Sequence, residues 1–121
     1  SEAEDVLFEE VDTADARLVV VAFGSVARIV KSSIARLRED GLKVGLLRPI
    51  TLFPFPRKRL FALGGGIKNF LVAEMNTGQM VEDVRLSLPG DCQVDFYGRP
   101  GGSVPTPEDL MAAISATYDK L

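Results

Sequence analysis

Apolar runs and stretches of helical periodicity alternate along most of the chain. The apolar runs have the length of buried strands, and each is followed by apolar residues that recur every three or four positions. The predicted strands are residues 17–22, 43–47, 70–75 and 92–97, and the predicted helices are residues 25–40, 56–63, 77–88 and 107–121. Since right-handed crossovers place helices on both faces of a mainly parallel sheet, the order predicts a three-layer α/β/α sandwich.

Two of the helices carry recognisable start signals. Thr106 precedes Pro107 and two acids, which is typical of a capping residue followed by a first helical turn. Asn76 or Thr77 is predicted to cap the third helix, with Gln79 completing a capping box from Asn76.

The charge distribution separates the beginning of the chain from the rest. Residues 1–15 hold seven acids and no base, so the remainder holds 14 bases against 10 acids. We therefore predict an acidic linker or tail at residues 1–16 and an α/β domain at residues 17–121. The apolar residues Val6, Leu7, Phe8 and Val11 suggest a short segment that lies against the domain. The domain is too weakly basic to indicate a nucleic-acid partner.

Composition excludes several classes of site. The chain has no histidine, which removes the Ser-His-Asp and Cys-His arrangements and most catalytic zinc sites, so we predict no catalytic residue and no metal ligand. The single Cys92 suits a reducing compartment, and we expect a cytoplasmic protein. No apolar run approaches the ~20 residues of a membrane span, and residues 1–16 lack the basic start and apolar middle of a signal peptide.

The carboxyl edge of the predicted sheet is the place where a small ligand would bind. The candidate residues there are Ser25, Arg48, Asn76 and Gln79. A helix start with free amides and a nearby arginine would suit an anion. The same residues also suit a tight turn, helix caps and a solvated or interface arginine, which we favour because no glycine-rich phosphate motif is present.

Two loops are too unusual for plain connectors. The loop at residues 50–56 is unusually apolar, and we predict that Leu52, Phe53 and Phe55 are its interface anchors. The loop at residues 98–105 is rich in Gly and Pro, and Arg99 is its polar interface residue.

Three cations, Arg57, Lys58 and Arg59, occupy the predicted first turn of the second helix. We also predict that Arg57 is an interface residue. Cations there oppose the helix dipole. We therefore expect compensation by the acidic residues 1–15, by a partner domain, or by solvent.

Three phrases together resemble one family. They are VVVAFGSVARIVKSSIARLREDGLKVGLLRPITLFPFP, VAEMNTGQMVEDVR and FYGRPGGSVPTPEDL. In this order and spacing they resemble the C-terminal domain of the alpha subunit of 2-oxoacid:ferredoxin oxidoreductases, over residues 17–114. The last phrase is closer to the branched-chain (2-oxoisovalerate) enzymes than to the 2-oxoglutarate ones.

The resemblance implies a fold similar to the C-terminal domain of transketolases. It implies a parent enzyme that decarboxylates a 2-oxoacid on thiamine diphosphate with Mg, passes electrons through iron–sulfur clusters to ferredoxin, and releases an acyl-coenzyme A. It also implies that the chain is a fragment of a larger subunit and binds none of these cofactors itself.

The partners implied are a pyrimidine-binding domain of the same subunit and the diphosphate-binding, gamma and ferredoxin-like subunits. We therefore expect a structural and docking domain that is inactive alone. The alternative is a regulatory domain that binds a small anion or a nucleotide at the sheet edge.

Overall fold

Five strands form one sheet in the computed structural model, which describes residues 6–75, 78–99, 101 and 103–121. The strands are β1 (Phe8–Val11), β2 (Leu18–Ala22), β3 (Val44–Pro49), β4 (Asn69–Glu74) and β5 (Gln93–Gly98). The helices are α1 (Gly24–Glu39), α2 (Arg57–Leu63), α3 (Gln79–Ser87) and α4 (Pro107–Tyr118). The strand order is β1-β3-β2-β4-β5, with β1 antiparallel to β3 and the other neighbours parallel.

The helices lie on both faces of this sheet, so the predicted three-layer sandwich is confirmed. The strand β2 is central and every one of its residues is buried. Alternate residues of β2 supply two cores, with Val20 facing α1 and α4 and Val21 facing α2 and α3. This division follows from the two-residue period of a strand, since a strand covered on both faces reads as a continuous apolar run.

Most predicted boundaries agree with the observed ones within one or two residues. Thr106 caps α4 as predicted, because its Oγ1 accepts a hydrogen bond of 3.1 Å from the backbone N–H of Asp109. The predicted capping box at α3 is wrong: the helix begins at Gln79 itself, after Gly78, which has a φ of 103° and offers no side-chain cap. Asn76 and Thr77, the predicted caps, lie outside the described residues.

Part of the predicted linker belongs to the sheet. The segment Phe8–Val11 pairs with β3 in the register Glu9 to Arg48, and Glu10 to Leu47. The prediction of a linker or tail therefore needs correction at these four residues, which form an edge strand. A short, charged strand at this position suits a sheet edge, because charged side chains discourage pairing with another chain.

Candidate functional site

The carboxylate of Glu9 joins β1 to the α1 face of the sheet. Its Oε2 accepts a hydrogen bond of 2.7 Å from Lys31 Nζ, and its Oε1 accepts one of 3.2 Å from Arg48 Nη1. The hydrogen bond from Lys31 lowers the pKa of Glu9 most, and the hydrogen bond from Arg48 lowers it further. Arg48, a candidate for binding an external anion, therefore already holds a carboxylate of its own chain. Its Nε is buried and has no hydrogen-bond partner among the residues that the structure describes.

Glu10 makes the corresponding contact on the opposite face. Arg59 Nη2 donates to Glu10 Oε1 at 2.9 Å, and Arg59 Nε donates to the other oxygen. This pairing lowers the pKa of Glu10 and raises that of Arg59. The acidic segment is thus the partner expected for one of the three consecutive cations. Arg57 lies 3.7 Å from Asp83, and Lys58 has no carboxylate within 4.0 Å among the described residues.

Arg38 fastens the turn that follows β1. Its Nη2 donates to the backbone oxygen of Asp12 at 2.8 Å and to Asp15 Oδ1 at 2.8 Å. The hydrogen bond with Arg38 lowers the pKa of Asp15. Close approach of this turn to the sheet requires Gly45, because a Cβ there would lie 2.7 Å from the backbone oxygen of Asp12.

Three of the four predicted edge residues, Ser25, Arg48 and Gln79, are described by the structure. Ser25 and Gln79 are exposed in the first turns of α1 and α3, while Arg48 is turned to Glu9. Asn76 lies outside the described residues. The hollows described below are lined by other residues. Binding of an anion at this edge stays a prediction.

Glu74 makes a structural contact at the start of α3. It ends β4, and its Oε2 accepts a hydrogen bond of 3.0 Å from the backbone N–H of Met80 in the first turn of α3. Burial raises the pKa of Glu74 against the lowering effect of backbone hydrogen bonds from Met80, Gly78 and Gln79. A carboxylate near a helix start satisfies free amides there. The contact favours a structural role for Glu74.

The loop at residues 50–56 presents one aromatic ring and buries the other. Phe53 is 93% exposed, whereas Phe55 is only 5% exposed and packs in the core beneath α2 and α3. Leu52 is half-buried and packs against the same core. The prediction of Phe55 as an interface anchor is therefore wrong, because its ring is already covered within this chain. Phe53 keeps the exposure that an anchor needs.

Hydrogen bonds brace this loop against the segment before β1. The backbone oxygen of Leu7 accepts from the N–H of Ile50 at 2.9 Å and of Thr51 at 3.2 Å. The Thr51 hydroxyl donates to the Pro54 oxygen at 3.0 Å. The peptide bond between Phe53 and Pro54 is cis. The exposed ring therefore stands on a loop with defined backbone contacts.

An apolar hollow lies between β1 and α2. It has a volume of about 350 Å³ and is lined by Val6, Phe8, Phe55, Pro56, Arg57, Lys58, Arg59 and Ala62. We call it the β1–α2 groove. A second hollow of about 240 Å³ shares Phe55 and Arg57 with it and is lined also by Leu52, Phe53, Pro54 and Asp83. A third hollow of about 240 Å³ contains Cys92, a residue whose pKa is raised by burial.

Arg99 is held inside its own chain. Its Nη2 donates to the carboxylate of Asp109 in α4, and its Nε lies 3.4 Å from the Tyr97 hydroxyl. The guanidinium keeps partial exposure. Pro100 and Gly102 of the same loop lie outside the described residues. An interface role for Arg99 stays a prediction, and its visible contacts position the start of α4.

The ranges that the structure describes contain no group of three or more His, Cys, Asp or Glu side chains placed to hold a metal ion. No helix in these ranges combines the length and apolar composition that a membrane crossing requires.

Comparison with known families identifies the domain. Residues 16–110 match the family described as pyruvate:ferredoxin oxidoreductase core domain II. The ketoisovalerate oxidoreductase subunit VorB of Methanothermobacter marburgensis is 42% identical over 93% of this chain and 32% of its own length. The 2-oxoglutarate synthase subunit KorA of Methanocaldococcus jannaschii is 36% identical over 92% of this chain and 30% of its own length. This chain thus spans about a third of the length of these relatives.

Solved structures agree with this match. A 2-oxoglutarate:ferredoxin oxidoreductase from Magnetococcus marinus superposes with a TM-score of 0.77 at 27% identity, over 94% of this chain and 20% of that one. A split-gene transketolase superposes with a TM-score of 0.70 at 16% identity, over 92% of this chain and 41% of that one, which shows the fold alone. The predicted family resemblance and transketolase-like fold are both confirmed.

Proposed function

We propose that this chain, which belongs to the pyruvate:ferredoxin oxidoreductase core domain II family, is a structural and docking domain of a 2-oxoacid:ferredoxin oxidoreductase. The observation that carries the proposal is Phe53, an aromatic ring that is 93% exposed on a braced loop. Aromatic residues are enriched among the anchors of protein interfaces. A ring held in water by a loop with defined contacts suits a surface that another part of the enzyme covers.

The parent enzyme would carry out oxidative decarboxylation of a 2-oxoacid to an acyl-coenzyme A, with reduction of ferredoxin. We propose 2-oxoisovalerate as the substrate, supported by the 42% identity with a ketoisovalerate oxidoreductase subunit. Thiamine diphosphate, Mg and the iron–sulfur clusters would bind to other parts of the enzyme. An iron–sulfur cluster needs several thiolates, and this chain has the single Cys92.

The partners follow from the same proposal. The domain would dock against a pyrimidine-binding domain of the same subunit and against the diphosphate-binding, gamma and ferredoxin-like subunits. The length of the relatives supports this, since about two thirds of the VorB subunit lies outside the matched region.

The docking role is tested in the full-length subunit co-expressed with its partner subunits. Phe53→Asp should reduce the yield of the assembled complex on size-exclusion chromatography, because a charge would replace the exposed ring. The matched control is Leu86→Asp. Leu86 is also apolar and exposed, but it lies in the last turn of α3, at the end of that helix far from the carboxyl edge of the sheet. Normal assembly of Phe53→Asp would contradict the proposal.

The substrate is tested separately with the assembled enzyme. Reduction of ferredoxin is followed with 2-oxoisovalerate, 2-oxoglutarate and pyruvate as substrates. We expect the highest kcat/KM for 2-oxoisovalerate, and a higher value for another 2-oxoacid would overturn that part of the proposal while leaving the docking role intact.

A further inference from the structure

The β1–α2 groove combines an apolar floor with a basic rim. Its floor includes Val6, Phe8 and Ala62, and most of its exposed lining is apolar. Its rim carries three consecutive cations of α2. The β1 side of the groove comes from the acidic segment, whose residues 8–11 pair with β3. Apolar surface that remains open to water between two elements is suited to receive an apolar group.

The rim keeps an excess of positive charge after the contacts among the described residues are counted. Glu10 neutralises Arg59 through two hydrogen bonds. Arg57 has only Asp83 at 3.7 Å, and its side chain is 58% exposed. Lys58 is exposed and, in the described part of the chain, has no carboxylate within 4.0 Å. A group that enters the groove therefore meets cations that no described carboxylate neutralises fully, at Lys58 and, in part, at Arg57.

The surroundings of the groove fit a polypeptide better than a small molecule. Its volume of about 350 Å³ is near the lower end of the ~300–1,000 Å³ of small-molecule sites. The second hollow adjoins it across Phe55 and Arg57, and the exposed ring of Phe53 lines that hollow. Adjoining hollows beside an exposed aromatic ring suit successive side chains of one segment.

We infer that the β1–α2 groove docks an acidic segment of a neighbouring polypeptide of the parent enzyme. One apolar side chain of this segment fills the groove, and flanking carboxylates pair with Lys58 and Arg57. The inference rests on the proposed docking function and deepens it by stating the chemistry of the partner. Charge complementarity selects the acidic segment, because a basic or neutral one would leave the rim cations desolvated and unpaired.

The test uses the isotope-labelled 121-residue chain and two synthetic peptides, titrated by NMR. One peptide carries a phenylalanine and a leucine flanked by aspartates and glutamates, and the other has lysines in place of the acids. We expect the acidic peptide to shift the amide signals of Val6, Phe8 and Ala62 in a saturable way. Lys58→Glu should weaken this binding by about tenfold. Arg28→Glu, an equal charge change on the exposed face of α1, should leave it unchanged.

Three outcomes would overturn the inference. They are the absence of saturable shifts at the groove, equal binding of the lysine peptide, and unchanged binding by the Lys58→Glu variant. Equal binding of both peptides would show an apolar site without charge selection. A failure here is distinguishable from failure of the docking function, which is judged by assembly of the Phe53→Asp complex.

Discussion

Phe53 and Phe55 test which ring of the loop at residues 50–56 stabilises the fold and which is free for docking. Both are phenylalanines, two positions apart, yet one is 93% exposed and the other 5% exposed. Truncation to alanine in the isolated chain should therefore have very different effects on the free energy of unfolding. We expect Phe53→Ala to change it by less than about 0.5 kcal/mol, as is usual for surface positions.

Phe55→Ala should lower the free energy of unfolding by about 3 kcal/mol. Moving a buried aromatic side chain into water costs about 1.5–3 kcal/mol, and truncation leaves a cavity that adds to this. The cavity contribution should be small because Phe55 lines two open hollows, which water can enter once the ring is removed. A domain of this length is expected to have a stability of about 6–18 kcal/mol, so the variant should still fold.

Urea denaturation followed by far-UV circular dichroism measures both effects, since the chain has no tryptophan to report by fluorescence. With a slope of about 2 kcal/mol per M, the Phe55→Ala midpoint should fall by about 1.5 M. Phe55→Leu keeps part of the packing and should lie between the wild type and Phe55→Ala. A cost below about 1 kcal/mol for Phe55→Ala, or an equal cost for Phe53→Ala and Phe55→Ala, would contradict this assignment of the two rings.

Three further predictions concern the acidic segment and the sheet edge. The pKa of Glu10 is lowered from 4.5 in the fold, so its ion pair stabilises the fold above that pH, and this stabilisation is lost as pH falls through the native pKa. Glu10→Gln should therefore make the loss of stability at acid pH shallower. Urea titrations at several pH values measure this, and an unchanged dependence of stability on acid pH would contradict it. Calorimetric titration with phosphate, nucleotides and coenzyme A should show no saturable micromolar binding, because Arg48 already holds a carboxylate of β1. Saturable binding that Arg48→Ala abolishes would instead support the anion site at the sheet edge. Gly45→Ala should destabilise the chain by about 1–3 kcal/mol, because the added Cβ would clash with the backbone of Asp12. Gly66→Ala, with open space around the glycine, should have little effect in the same denaturation assay. Equal effects of the two variants would show that the turn after β1 is free to move away from the sheet.

The repeated βα order was predictable because its signals are local. A run such as Leu18–Ala22 is apolar at every position, which indicates a strand covered on both faces. Thr106 with Pro107 and two acids caps its helix with the chemistry that the sequence shows. In these places each residue's preference agrees with the fold, so no distant contact is needed to decide the structure.

The strand β1 was not predicted because its pairing depends on distant residues. The sequence Phe8-Glu-Glu-Val11 has two adjacent acids, which is typical of a solvated linker. In the fold, Glu9 meets cations on one face and Glu10 meets Arg59 on the other. These partners lie more than 20 residues away, and local composition carries no record of them.

The burial of Phe55 was missed for a related reason. Two rings separated by one residue would point to the same side of an extended segment. The contact of Thr51 with the oxygen of Pro54 closes the chain into a turn, so the two rings have different surroundings. The distinction depends on turn geometry and on the core beneath the loop, which residue type alone does not show.

The acidic strand has opposite consequences for the two candidate sites. On the α1 face, Glu9 pairs with Arg48, so an external anion that binds Arg48 at the sheet edge would have to displace this carboxylate. On the α2 face, Glu10 pairs with Arg59 but leaves Lys58 without a carboxylate among the described residues, while Phe8 of the same strand lines the β1–α2 groove. One short strand thereby supplies a carboxylate to the arginine of the site that the sequence suggested, and it lines a second site that the sequence did not suggest. A second acidic segment at the groove would complete on α2 the charge pairing that Glu10 begins.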